Sequence, residues 1–268
     1  MQRLDVELTR RGLARSREHA AGLIAAGRVE VRGVIARKAA TGVAADTPVR
    51  VLADDDGTPD YASRGGVKLA GALATFAEID IVGKRCLDAG ASTGGFTDVL
   101  LRGGARQVIA VDVGYGQLAW QLRTDARVDV HDRTNVRALQ PDDIGGPADI
   151  TVADLSFISL RLVLPALAAC TVAEGDLLPM VKPQFEVGRE RLGSGGVVRD
   201  PALRADAVLG VVVAARELGW RTAGVCPSRL PGPAGNVEFF LWLRREPRVE
   251  CPDDQIRTIV ESTTEVTR

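Results

Sequence analysis

Four side chains that can carry charge or move a proton lie at or beside predicted strand ends. Asp154 and Lys182 each close a predicted apolar strand, Glu238 begins a later one, and Lys68 lies in the first turn of a predicted helix. Because ligands of open parallel sheets bind beyond the carboxyl ends of the strands, we expect these residues to face one crevice. A lysine that gives up its proton, oriented by carboxylates, suits the activation of a weak nucleophile such as a hydroxyl group.

Lysine at two of these positions is informative because lysine is rare in this chain. Of the 34 basic residues only Lys38, Lys68, Lys84 and Lys182 are lysine, and the rest are arginine. Arginine cannot replace a titratable amine, since its guanidinium group stays charged in proteins. The pair Lys68 and Lys182 therefore favours chemistry over a generic positive patch. A surface ion-pair network is the alternative interpretation.

A glycine-rich turn follows the first predicted strand of the larger part of the chain. Three residues separate Gly90 from Gly94, whereas a dinucleotide fingerprint requires Gly-x-Gly-x-x-Gly. The pattern Asp-x-Gly-x-x-x-Gly-Gly resembles the first motif of class I methyltransferases, and this resemblance implies S-adenosylmethionine as the cofactor. The candidate cofactor-binding residues in the turn are Asp88, Gly90, Ser92, Thr93, Gly94 and Gly95.

Three further aspartates extend the predicted cofactor site. Asp112 ends the second predicted strand, 22 residues after Gly90, where a carboxylate can accept both ribose hydroxyls. Asp132 follows a third short strand, where methyltransferases often place a side chain against the adenine amino group; a surface aspartate in a turn is the alternative. Asp154 is expected beside the cofactor as well as in the catalytic set.

The elements that must position these residues alternate along the chain. Apolar strand-like runs separated by helical stretches occur at residues 86–90, 108–113, 150–153 and 177–181. Such alternation predicts an α/β fold with a parallel sheet and helices on both of its faces. The resemblance specifies a class I, Rossmann-like methyltransferase sheet over residues 63–268. A turn-rich segment at 54–62 predicts a linker, and residues 1–53 form a small α/β module.

The front module has the pattern of two short helices followed by a strand. Ser16 is in N-cap position before an apolar helical run, Gly27 ends that helix, and Val29 and Val31 alternate with polar residues. The motifs Ser-Arg-x-x-Ala and Ile-x-x-Gly-x-Val-x-Val-x-Gly resemble the S4 RNA-binding domain, which implies docking on folded RNA through shape and backbone contacts. The arginines expected on its solvent face are Arg3, Arg10, Arg11, Arg15, Arg17 and Arg28.

Charge is distributed unevenly although the chain of 268 residues has a net charge of only -1. Through Leu52 there are 10 Lys and Arg against 5 Asp and Glu, and from Ala53 onward there are 24 against 30. A basic module ahead of an acidic body favours a polyanionic partner for the module, and a solvated face is the alternative.

Composition excludes several classes of protein. The longest stretch without a charged residue, 162–173, has 12 residues, short of the roughly 20 that span a bilayer. The first residues lack the apolar core of a secretory signal, and four dispersed cysteines with two histidines form no zinc pattern. We therefore expect a cytoplasmic protein with no metal and no membrane partner, its cysteines buried and reduced.

The catalytic set and the two-part organisation together point to one family. Lys68, Asp154, Lys182 and Glu238 resemble, in chain order, the catalytic tetrad of FtsJ-related ribose 2′-O-methyltransferases. With the S4-like module, the sequence from Arg3 to about Arg245 resembles the TlyA family. The resemblance implies 2′-O-methylation of cytidines in 16S and 23S ribosomal RNA of the 30S and 50S subunits, with an effect on sensitivity to capreomycin and viomycin.

One segment departs from the family pattern. Close relatives carry Arg-x-Trp-Val between the two domains, where this chain has Pro59-Asp60-Tyr61-Ala62. Tyr61 retains an aromatic side chain, but the arginine is lost.

Three other functions compete with the methyltransferase hypothesis. A nucleotide-dependent oxidoreductase conflicts with the glycine spacing and lacks a hydride-handling histidine. A ribosome-assembly or RNA-binding factor without catalysis would not need all four residues of the tetrad. A haemolysin-like membrane-active protein, which the family's other label suggests, would have to act through an amphipathic surface helix, and the front module has little apolar surface for one. A monomer is the expected state.

Overall fold

The computed structural model describes residues 2–14, 16–52, 60–232 and 234–263. Internal contacts divide the chain into two compact units, Met1–Asp60 and Tyr61–Arg268. Arg15 and positions 54–59 of the predicted linker lie outside the described residues. We call the two units the front unit and the body.

The front unit packs two helices against short strands. Its core is made by Leu4 and Leu8 of the first helix, Leu23 and Ile24 of the second, and Val29 of a strand. The elements are β1 (Gln2–Arg3), α1 (Leu4–Arg10), α2 (Arg17–Ala25), β2 (Val29–Val31), β3 (Val34–Ile35), β4 (Gly42–Val43) and β5 (Val49–Val51). β2 pairs antiparallel with both β3 and β5, and β1 pairs with β4.

Local sequence signals explain the boundaries of α2. The Ser16 hydroxyl accepts a hydrogen bond from the backbone N–H of His19 at 3.1 Å, so the predicted N-cap is confirmed. After Ala26 the chain leaves the helix at Gly27, whose φ of +72° is a conformation that glycine adopts without a steric penalty.

The body is a sheet covered by helices on both faces. Its elements are α3 (Arg64–Thr75), β6 (Arg85–Ala89), α4 (Gly95–Arg102), β7 (Gln107–Val111), α5 (Trp120–Arg123), β8 (Val128–His131), β9 (Ala148–Ala153), α6 (Leu164–Ala169), β10 (Thr171–Val181), α7 (Pro183–Glu186), α8 (Pro201–Glu217), β11 (Arg221–Pro227), β12 (Phe239–Arg244) and α9 (Asp253–Ser262). Short 3-10 turns lie at Val136–Ala138, Pro141–Ile144, Leu160–Leu162, Arg189–Arg191 and Ser194–Gly196.

The seven strands are ordered β11-β12-β10-β9-β6-β7-β8. The five strands from β10 to β8 are parallel, as the sequence predicted, and they form a Rossmann-like sheet. At one edge β12 runs antiparallel to both β10 and β11, a strand direction that the sequence did not predict. The described residues between β11 and β12 hold no crossover helix, so the chain returns directly to an antiparallel neighbour.

Both faces of the sheet are buried. Leu177 and Phe239 face α6, α8 and α9, while the next residues, Leu178 and Phe240, face α3 and α4. Because successive side chains of a strand point to opposite faces, such strands read as continuous apolar runs. Within the described ranges, none of the helices combines the length and the apolar character that crossing a membrane requires.

Candidate functional site

The glycine-rich turn leads from β6 into α4 at the carboxyl edge of the sheet. Gly90 has φ +89° and donates its N–H to the carbonyl oxygen of Val111 at 2.8 Å. A Cβ at Gly90 would lie 2.5 Å from the carbonyl oxygen of Asp154, and one at Gly94, φ +94°, would collide with Leu122. Only glycine fits these two positions, so the turn brings its backbone directly against the neighbouring strand end.

Asp88 lies beneath this turn and is completely buried. Thr97 Oγ1 donates a hydrogen bond to Asp88 Oδ2 at 2.7 Å, and Asp88 Oδ1 has no partner among the described residues. Burial raises the pKa of Asp88 to about 7, although the hydrogen bond from Thr97 lowers it in part. The side chain supports the turn from inside the body.

Asp112 lies at the rim of a wide cleft of about 1000 Å³. Its carboxylate accepts hydrogen bonds from the backbone N–H groups of Ser92 at 2.8 Å and Gly114 at 2.7 Å. The wide cleft is also lined by Gly90, Ser92, Val113, Gln117, Asn135, Val136, Asp154, Leu155, Ser156, Phe157, Ile158 and Val163. The predicted residues Gly90, Ser92, Asp112 and Asp154 are thus brought together.

Asp132 follows β8, and its side chain is paired with groups outside the glycine-rich turn. Its carboxylate accepts hydrogen bonds from Arg123 Nη1 at 2.9 Å and from the N–H of Gly116 at 3.2 Å, and the bond from Arg123 lowers its pKa. It does not belong to the described wall of the wide cleft, where Asn135 and Val136 lie instead. Arg123, the last residue of α5, provides a partner that the sequence did not reveal.

A second, narrow cleft of about 600 Å³ adjoins the glycine-rich turn. Its wall contains Ser63, Arg64, Gly65, Lys68, Gly90, Ala91, Ser92, Thr93, Gly95, Phe96, Asp154 and Pro231. Lys68 Nζ, from α3, lies 2.5 Å from Glu238 Oε2, which precedes β12. Both side chains are buried, with Glu238 only 1% exposed, so the pair forms one internal ion pair at the cleft.

The other two predicted catalytic residues form a second pair. Lys182 Nζ, at the end of β10, lies 2.6 Å from Asp154 Oδ1, at the end of β9. Asp154 lines both the wide and the narrow cleft. The geometry therefore arranges the four residues as two lysine–carboxylate pairs, with Asp154 shared by both clefts.

Sequence reasoning missed two side chains next to this arrangement. Ser156 Oγ accepts a hydrogen bond from Lys182 Nζ at 2.9 Å. Asn236, two residues before Glu238, is buried; its amide donates to the carbonyl of Gly196 and accepts from the N–H of Val198, each at 2.9 Å. The available signal was proximity in sequence, since each lies two residues from a predicted catalytic carboxylate.

Tyr61, in the segment that departs from the family pattern, packs within the body. A Cβ on Gly66 would collide with the Tyr61 side chain, and the Arg102 guanidinium lies 5.2 Å from the centre of its ring. The next residue, Ala62, donates its N–H to Asp98 Oδ2 at 2.8 Å. The aromatic ring at this position therefore contacts the start of α3.

The arginines of the front unit divide into two groups. Arg3, Arg10 and Arg17 are exposed, and each pairs with a buried acid, Asp5 or Glu7, at 2.5 to 3.2 Å. The guanidinium groups of Arg10 and Arg11 lower the pKa of Glu7 to about 2.

The prediction of one solvent face for all six arginines is wrong for Arg11 and Arg28. Arg11 donates hydrogen bonds to the carbonyls of Thr47, Ala44 and Ala45, and Arg28 donates one to the carbonyl of Leu52 at 3.1 Å. Both side chains are half-buried and link segments that are distant in the sequence. Within the described part of the front unit, the exposed cations without an acidic partner within 4 Å are Arg32, Arg37, Lys38 and Arg50.

Two family profiles match the chain, one on each unit. The FtsJ-like methyltransferase profile matches residues 61–245, and the S4 domain profile matches residues 2–47.

Individual relatives extend over nearly the whole chain. The 16S/23S rRNA (cytidine-2′-O)-methyltransferase TlyA of Mycobacterium tuberculosis is 59% identical, over 91% of this chain and 90% of its own. Hemolysin A of Brachyspira hyodysenteriae is 34% identical, over 89% and 98%. A solved structure of a hemolysin-named protein from Streptococcus thermophilus has a TM-score of 0.75 and 37% identity, over 97% and 94%.

The family matches agree with the order of the site along the chain. The S4 domain precedes the sheet, and the two lysine–carboxylate pairs lie within the residues that match the FtsJ-like profile. The chain is a methyltransferase and belongs to the TlyA family, in which an S4 domain is followed by an FtsJ-like methyltransferase domain.

Proposed function

We propose that this enzyme transfers a methyl group from S-adenosylmethionine to the ribose 2′-hydroxyl of cytidines in 16S and 23S ribosomal RNA. The observation that carries the proposal is the arrangement of two lysine–carboxylate pairs, Lys68–Glu238 and Lys182–Asp154, of which Lys68 and Asp154 line the two adjoining clefts. Two amines held by carboxylates beside a glycine-rich turn suit the orientation and deprotonation of a hydroxyl. The name of the Mycobacterium tuberculosis relative supports the same reaction.

The wide cleft fits S-adenosylmethionine. Gly90 lines this cleft without a side chain, so the backbone of the turn can lie close to a ligand. The Asp112 carboxylate lies in the cleft wall and could accept hydrogen bonds from ribose hydroxyls, and Asn135 and Val136 line the same cleft. When bound, the cofactor supplies a methyl group made electrophilic by its sulfonium centre.

Each member of the two pairs has a separate task in this proposal. After it has released its own proton to water, Lys182 accepts the proton of the attacking 2′-hydroxyl as a neutral amine, and Asp154 holds its Nζ at 2.6 Å. Lys68, tied to Glu238, orients the ribose in the narrow cleft. Since a positioned general base contributes roughly 10² to 10⁴ in rate, loss of the Lys182 amine should nearly abolish transfer.

The front unit docks on folded ribosomal RNA in this proposal. Arg3, Arg10 and Arg17 keep exposed guanidinium groups although each is paired, and the unpaired Arg32, Arg37, Lys38 and Arg50 add positive charge. Cations without an acidic neighbour lose no ion pair when they bind a phosphate. We therefore expect the unpaired cations to contribute more to the affinity for RNA than the paired arginines do.

The proposed substrates are the 30S and 50S subunits, on which the enzyme acts as a monomer in the cytoplasm. The consequence we expect in the cell is a change in sensitivity to capreomycin and viomycin.

Transfer of tritiated methyl groups from S-adenosylmethionine to unmodified 30S and 50S subunits tests the proposal. The wild type is compared with Lys182→Ala and with Lys84→Ala, a matched change at a lysine before β6, remote from both clefts. Nuclease digestion of the labelled RNA identifies the modified nucleotide. We expect 2′-O-methylcytidine with the wild type and Lys84→Ala, and a loss of at least a hundredfold with Lys182→Ala.

Other outcomes would reject parts of the proposal. Label on the base rather than the ribose would exclude the 2′-hydroxyl as the nucleophile. Tight binding of both subunits without any transfer would favour a ribosome-assembly factor. Full activity of Lys182→Ala would show that another group accepts the proton.

A further inference from the structure

A serine hydroxyl contacts the lysine that accepts the proton in the proposed reaction. Lys182 Nζ donates to Ser156 Oγ at 2.9 Å and lies 2.6 Å from Asp154 Oδ1. Ser156 lies two residues after Asp154 and lines the same wide cleft. Two oxygens from one loop therefore hold the end of the lysine side chain.

The contact between Ser156 and Lys182 matters because the amine has few hydrogen-bond donors. A neutral amine, the form that can accept a proton, has two N–H bonds and one lone pair. With no acceptor, the amine could rotate about its Cε–Nζ bond and turn the lone pair among three staggered positions. The hydrogen bond to Ser156 fixes one N–H, which leaves two of these positions, and the Asp154 oxygen, ion-paired with Nζ at 2.6 Å, disfavours a lone pair that points at the carboxylate.

We propose that Ser156 is a positioning residue for methyl transfer: its hydroxyl accepts one N–H of neutral Lys182, restricts rotation about the Cε–Nζ bond beside the Asp154 carboxylate and so aims the lone pair of Nζ. The inference rests on the proposed role of Lys182 as the proton acceptor. Ser156 acts through the lysine and has no bond to the substrate in this scheme.

The segment that carries Ser156 is held to the same part of the sheet edge as Lys182. Glu186, which is 6% exposed, accepts hydrogen bonds from Ser159 Oγ at 2.5 Å and from the N–H of Leu160 at 2.7 Å. Arg161 Nη2 donates to the carbonyl of Glu186 at 3.1 Å. Glu186 ends α7, which begins directly after Lys182. Its hydrogen bonds therefore fix the segment that carries Ser156 relative to Lys182.

Because of its surroundings, Ser156 can be replaced without an expected loss of protein stability, so that only the orientation of the Lys182 amine is tested. The side chain is exposed, and its hydroxyl makes no other hydrogen bond among the described residues. Removing the hydroxyl leaves the Lys182–Asp154 ion pair in place and opens no cavity. The expected loss is therefore confined to the direction of the lysine lone pair, which affects the chemical step and not the binding of either substrate.

The test measures kcat and both KM values with 30S and 50S subunits for Ser156→Ala and Ser156→Thr. Ser156→Ala should lower kcat roughly tenfold, with the KM values for S-adenosylmethionine and for subunits within about twofold of the wild type. Ser156→Thr restores the hydroxyl and should recover kcat to within about threefold. Ser262→Ala, at the exposed end of α9, is the matched control and should behave as the wild type.

Three results would overturn the inference. Wild-type kcat for Ser156→Ala would show that the hydroxyl does not orient Lys182. A rise in the KM for S-adenosylmethionine that accounts for the whole loss would assign Ser156 to the cleft wall instead. Failure of Ser156→Thr to recover kcat would exclude the hydroxyl as the active group. Lys182→Ala, assayed alongside, identifies failure of the proposed function itself, since full activity of that variant removes the base on which the inference rests.

Discussion

The buried carboxyl group of Asp88 should make the stability of the body fall as the pH rises towards neutrality. Its pKa is raised from 3.8 to about 7, mainly by burial. Below pH 3.8 the group is protonated in both folded and unfolded chains, and above about 7 it is ionised in both. Between these values only the unfolded chain ionises, so the free energy of unfolding decreases with increasing pH.

The size of this effect follows from the shift in pKa. A difference of roughly three units, at 1.36 kcal/mol each, corresponds to about 4 kcal/mol lost between pH 4 and pH 7. Asp88→Asn cannot ionise, and its amide oxygen can still accept the hydrogen bond from Thr97. The stability of Asp88→Asn relative to the wild type should therefore rise by about 4 kcal/mol over that range and stay constant above pH 7.

Urea denaturation at a series of pH values measures this difference. All three tryptophans, Trp120, Trp220 and Trp242, lie in the body, so their fluorescence reports its unfolding. Thr97→Val removes a hydrogen bond that lowers the pKa of Asp88 and should extend the fall in stability to higher pH. Asp142→Asn, at an exposed aspartate of the same unit, is the matched control. Parallel curves for the wild type and Asp88→Asn would refute the reasoning.

Three further predictions concern the turn, the thiols and the front unit. Gly90→Ala should destabilise the body by about 1 kcal/mol or more and weaken S-adenosylmethionine binding at least tenfold in calorimetry, because the new Cβ meets the Asp154 carbonyl; unchanged affinity would contradict this. The four cysteine thiols are buried, and burial raises the pKa of Cys86 to about 12, so a thiol reagent should modify fewer than one thiol in the native chain and all four in denaturant. Glu7 has a pKa lowered to about 2, mainly by its hydrogen bond with Arg10, so its contribution to the front unit is present above pH 4.5 and lost as the pH falls towards 2. Hydrogen exchange should show this loss in the wild type and a smaller loss in Glu7→Gln, in which Asp5, whose pKa is also lowered to about 2, still titrates; equal losses in the two proteins would contradict this.

The sequence allowed prediction of the features that depend on local pattern. The glycine spacing after β6 and the apolar runs of the parallel strands follow from backbone sterics and from burial on both faces, and the structure confirms these elements. The antiparallel edge was missed because β11, with Thr222, Gly224 and a final proline, lacks a continuous apolar run. Strand direction depends on the connection and on the edge that remains available, which no local pattern records.

Side-chain pairing was predictable only in part. From residue type and strand-end position, Lys182 and Asp154 could be predicted to lie at the same edge of the sheet. The sequence did not reveal which carboxylate would pair with which lysine. Arg11 and Arg28 were expected to face solvent because arginine usually does, and the structure shows them tied to backbone carbonyls far along the chain. Such long-range partners depend on the tertiary fold and not on the neighbours of a residue in sequence.

The antiparallel insertion of β12 also determines when during synthesis the Lys68–Glu238 pair can form. β12 lies between β10 and β11, and it brings Glu238 to Lys68, which is 170 residues earlier in the chain. A ribosome makes the amino-terminal end first, so a nascent chain that ends before Glu238 contains Lys68, Asp154 and Lys182 without the buried partner of the first lysine. Lys68 therefore lacks the Glu238 carboxylate until β12, the last strand of the sheet, has been synthesised and folded.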